Sequence, residues 1–298
     1  MSTSYTDQSA ASQRQKRAMK ILDGLSPTEF LQQSSEERRG LYEIRLYKTK
    51  GPVIIDEADE DDMFNKEIRD GVILRQQWYM GNDRAGQQIV EEATTFYYTQ
   101  NIFHIRSHWL CEFESDRLGD GETPVDITSL VRKIIVQVDL CHVWGSDMDD
   151  FEDEQFSPTS PERGQTEGAT AAVRDLKRLL KFKGLEEVKI EILGGGALDG
   201  SDLATQEKIK EISNVVKEVM SRFKGKVQVY KLLKMEGYRT CKQHDLTSYW
   251  NKPTAQAKRN VQQGQASFTE MMQVQMEDWT LRRSNIIGGE GWDHVSLL

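Results

Sequence analysis

Between Leu203 and Phe223 apolar residues return every three or four positions, so that Ile209, Ile212, Val216, Val219 and Phe223 share one side of a helical wheel. The segments on either side have a shorter period. Val188–Leu193 (VKIEIL) alternates apolar and polar residues, the pattern of a half-buried strand, and Val227–Leu233 (VQVYKLL) reads as another strand. Upstream, Val131–Leu140 (VRKIIVQVDL) carries β-branched residues on both faces at its centre. Ala171–Lys183 puts Val173, Leu176 and Leu180 on one helical face, with Ala172 and Leu179 beside them. Strand, helix, strand, helix, strand in that order predicts parallel neighbours joined by right-handed crossovers. The repeat, roughly 40–55 residues, is longer than the 20–29 of leucine-rich repeats, so the expectation is an irregular β/α stack.

The N-terminal part has a helical pattern. Ser26-Pro27-Thr28-Glu29 spells a helix start, with Ser26 as N-cap, Pro27 at the first position and Glu29 at the third. Ser34-Ser35-Glu36-Glu37 offers a second start feeding Leu41, Ile44 and Tyr47, and Gly51-Pro52 ends it. Gln87–Tyr98 predicts a further helix and Asn101–Ile105 a short strand. At the other end a Tyr249-Trp250-Asn251-Lys252-Pro253 loop precedes a helix carrying Phe268, Met272, Met276 and Trp279, a stripe read as core. The fold class expected is therefore α/β (or α+β). A small helical module over 25–120 precedes a β/α domain over 125–240 with at least three roughly parallel strands, and a C-terminal loop and helix over 241–298 dock on it. Two segments are expected to be disordered: a polar tail over 1–24 and an acidic insertion over 146–170, where Pro158 and Pro161 break structure and like charges repel.

Composition narrows the functions. At 298 residues the chain buries a substantial core, and its net charge of −9 argues against sequence-independent grip on a phosphate backbone. No apolar run approaches the roughly 18 residues of a membrane span. Cys111, Cys141 and Cys241 are an odd, widely spaced set that suits a reducing compartment. The expectation is a soluble intracellular protein, cytoplasmic or nuclear.

Motifs that spell chemistry lack the neighbours it requires. Val53–Asp62 (VIIDEADEDD) resembles the acidic strand of a nucleotide-hydrolysing motor. No phosphate cradle of the GxxxxGK[ST] type precedes it, and the sole Gly-Lys pair is Gly225-Lys226, so the segment is read as an acidic surface loop. The loop Gly194-Gly195-Gly196-Ala197-Leu198-Asp199-Gly200 lies between a strand and a helix, where a dinucleotide would sit, but Asp199 occupies the position of a small residue. The plainer reading is a connection with Ser201 or Asp202 capping the next helix. His104 and His108 straddle a strand end, and Asp139, Cys141 and His142 make no complete ligand set. No catalytic residue, metal ligand or cofactor site is assigned.

Two stretches resemble a known family. In Phe30–Tyr47 (FLQQSSEERRGLYEIRLY), residues Phe30, Leu31, Glu36, Arg38, Leu41 and Tyr42 fall into the register of the opening segment of the large fungal F-box-like family. Glu91–Ile105 is similar to its second block, which runs Glu-Ala, then Phe or Leu followed by Tyr, then Asn-x-Phe. Gln33-Ser34 stands where that family has Leu-Pro, and Glu37 where an apolar residue is usual, so the face bearing Glu37 must be solvated. The resemblance implies a non-enzymatic adaptor that docks on a cullin–RING ubiquitin ligase through its N-terminal helices and presents protein targets with the rest. The apolar anchors would be Leu31, Leu41, Tyr42 and Ile44, residues that intramolecular core would equally require. The alternative is an enzyme with a small-molecule site at the strand ends, built from Asp139, Cys141, His142 and the Gly194–Gly196 loop.

Overall fold

The two serine signatures start helices as written. In the computed structural model, which describes residues 21–55, 84–114, 126–140, 170–234 and 241–286, Ser26 caps α1 (Pro27–Gln32) and Ser34 caps α2 (Ser35–Leu46). Each is a full capping box: the serine oxygen accepts from the N3 backbone, and the Glu29 or Glu37 carboxylate accepts from the cap N–H. Glu37 is exposed, as its charge demands. After β1 (Val53–Ile55) come α3 (Arg84–Gln100), β2 (Ile102–Arg106), the short helices α4 (Leu110–Glu114) and α5 (Ile127–Leu130), and β3 (Lys133–Asp139). Helix α6 (Ala171–Lys177) tightens into a 3₁₀ turn, Arg178–Lys181, before β4 (Glu187–Leu193). Helix α7 (Leu203–Arg222), β5 (Val227–Lys234), β6 (Cys241–Asp245), the 3₁₀ turn Thr247–Trp250, α8 (Ala255–Gln262) and α9 (Phe268–Ile286) follow.

The strands form one six-stranded sheet whose order is the order of the chain, β1-β2-β3-β4-β5-β6. β1, β2 and β3 are parallel, and β6 closes the far edge antiparallel to β5. The register lines up buried rows: Val53, Phe103 and Ile134 lie side by side, as do Ile55, Ile105 and Val136, each at most 3% exposed. The α/β class holds, and two strands go beyond the expectation. Val53–Ile55, read as the start of an acidic loop, is an edge strand, because Val53 and Ile55 bury against β2 while Ile54 faces outward. The acidic residues after it, the insertion Ser146–Ala169 and residues 1–20 of the tail lie outside the described residues. Residues 21–24 do not belong to a free tail: Ile21 and Leu22 are core, 5% and 1% exposed.

Two compact units divide the chain: Met1–Gln137 with Asp175–Lys189 and Phe223–Lys226, and Val138–Arg174 with Ile190–Arg222 and Val227–Leu298. The expected boundary near residue 120 does not separate a helical module from a sheet, since β2 pairs directly with β3. The first unit is built around an aromatic cluster. Phe103 stands 5.6 Å from both Tyr97 and Tyr98 and 5.2 Å from Phe113, which stacks on Phe182 at 6.3 Å. In the second unit α7 buries Ile209, Ile212, Val216 and Val219, the stripe read from its sequence. Met272 and Met276 of α9 are likewise core, 0% and 6% exposed.

Candidate functional site

On helices α1 and α2, Phe30 and Tyr42 are buried, Leu31, Arg38 and Leu41 are half-buried, and Glu36 is exposed. Arg38 is the centre of the arrangement. Its Nε and Nη2 donate to the two Glu92 oxygens at 2.9 Å each, and its Nη1 donates to the carbonyls of Gln33 (2.7 Å) and Leu31 (3.4 Å). One guanidinium thus satisfies carbonyls at the end of α1 and clamps α2 to α3 in a bidentate pair. Tyr42 and Gln88 also donate to Glu92, at 3.4 and 2.9 Å. Burial pushes the Glu92 carboxyl up, but the hydrogen bonds from Arg38 and Gln88 prevail and hold it below the usual range. The Tyr42 hydroxyl is raised well above its ordinary value, by burial first and then by the Glu92 charge.

The second block is equally internal. Asn101, 1% exposed, donates to the carbonyls of Leu46 and Tyr97 at 2.9 Å and accepts from the Lys48 N–H at 2.8 Å. It fastens the chain leaving α2 to the end of α3 through backbone groups of both segments. Ala93, Tyr97, Phe103 and Ile105 are all buried.

The four proposed anchors therefore separate. Tyr42 is 3% exposed, with its ring 5.8 Å from Phe30 and 6.0 Å from Phe96, so it belongs to the unit's own core and is not an outward anchor. Leu31 and Leu41 are half-buried. Ile44 is 70% exposed. Helix periodicity explains the split: Arg38, Tyr42 and Leu46 recur every four residues on the inner side, and Ile44 lies half a turn away.

Among the described residues, the strand ends of the second unit hold no open cradle. The glycine loop wraps the side chain of Asp202, whose oxygens accept from the Ala197 N–H at 2.9 Å and the Thr205 N–H at 3.0 Å. Asp202 is thus the N-cap of α7, and its carboxylate fills the place a phosphate would take. A methyl group on Gly196, which has φ +88°, would lie 2.3 Å from that carboxylate. Gly194 meets Leu140 in the same way, at 2.5 Å, so an apolar side chain plugs the end of β3 against the loop. Burial raises the Asp202 carboxyl, but hydrogen bonds from Thr205 and Ala197 and the Lys231 charge outweigh it and leave it lowered. Lys231, 0% exposed, escaped the sequence reading although Val227, Val229 and Lys231 mark one face of a strand. Asp139 lies at the end of β3, and Cys141 and His142 lie outside the described residues. The continuous strand order also lacks the reversal at which open α/β sheets form a ligand crevice. The described Cys111 thiol is pushed up, by burial first and then by Glu112, away from a reactive thiolate.

Among the described residues no three metal-ligating side chains cluster, and no helix is long and apolar enough to cross a membrane. No protein-family profile, no curated protein and no solved structure matches the chain.

Proposed function

We propose that this chain is a non-enzymatic protein-interaction protein of the F-box-like kind, docking on a ubiquitin-ligase adaptor through α2 and offering the remainder to protein targets. The observation that carries the reading is Ile44, a large aliphatic side chain held 70% exposed. Its helix is fixed from behind by the Arg38–Glu92 pair, so the side chain is presented on a rigid support and little ordering would accompany docking. Half-buried Leu41 lies three residues away on the same side. The plugged strand ends and the unreversed strand order favour this reading over a small-molecule enzyme.

The test is co-purification of the ligase adaptor with tagged full-length protein. Ile44→Asp is expected to reduce recovery at least tenfold, about 1.4 kcal/mol, while thermal unfolding stays unchanged. Wild-type protein that recovers no adaptor removes the ubiquitin part of the proposal.

A further inference from the structure

We draw no further inference here: the strongest candidate, the notch of the second unit walled by Trp250, Pro253 and Met276 between α7 and α9, is lined by charges of both signs, and nothing in the structure shows what fills it.

Discussion

Glu92 receives two hydrogen bonds from Arg38, one from Tyr42 and one from Gln88, and this convergence joins α2 to α3. Replacing it by leucine leaves the Arg38 guanidinium, 11% exposed, without its carboxylate. The expected loss is about 3 kcal/mol, measured as a lower urea midpoint at unchanged slope. Glu92→Gln keeps the shape and exposes the pH dependence. Because the folded carboxyl lies below its ordinary value, its contribution is fully present above the unfolded pKa of about 4.3 and fades as pH falls through the folded one. The stability gap between wild type and Glu92→Gln should therefore be widest near neutrality and shrink toward pH 3. A gap that is constant with pH would show that the pair carries no such linkage.

At the scale of elements, the parts legible in the sequence are those whose signals are local. Both capping boxes, the α7 stripe and the strands β3, β4 and β5 followed from spacing alone. β1 did not, because three residues followed by acids give no period, and their burial depends on a partner fifty residues away. β6 did not either: Lys242, Gln243, His244 and Asp245 are all exposed on an edge strand, so no apolar alternation marks it. The glycine loop was legible as a capped connection, and Gly196 tests it. With φ +88° and no room beside Asp202, Gly196→Ala should cost about 2 kcal/mol or more, whereas Gly195→Ala, open to solvent, should cost under about 1 kcal/mol. Thermal melts of the two variants separate the cases. The anchor set mixed residues of two helices and two sides of α2, since Tyr42 and Ile44, two positions apart in sequence, lie on opposite sides of it.

For the whole molecule, the proposed docking role rests on the first unit, where α2 and α3 are locked together by Arg38 and Glu92 while the Ile44 side chain is exposed on α2. The most direct measurement is a calorimetric titration of purified full-length protein into the purified ligase adaptor. A saturable one-to-one complex with micromolar or tighter affinity, lost in Ile44→Asp while the variant unfolds at the wild-type temperature, is the predicted result. No heat of binding from wild type, or identical isotherms for wild type and Ile44→Asp, would contradict it.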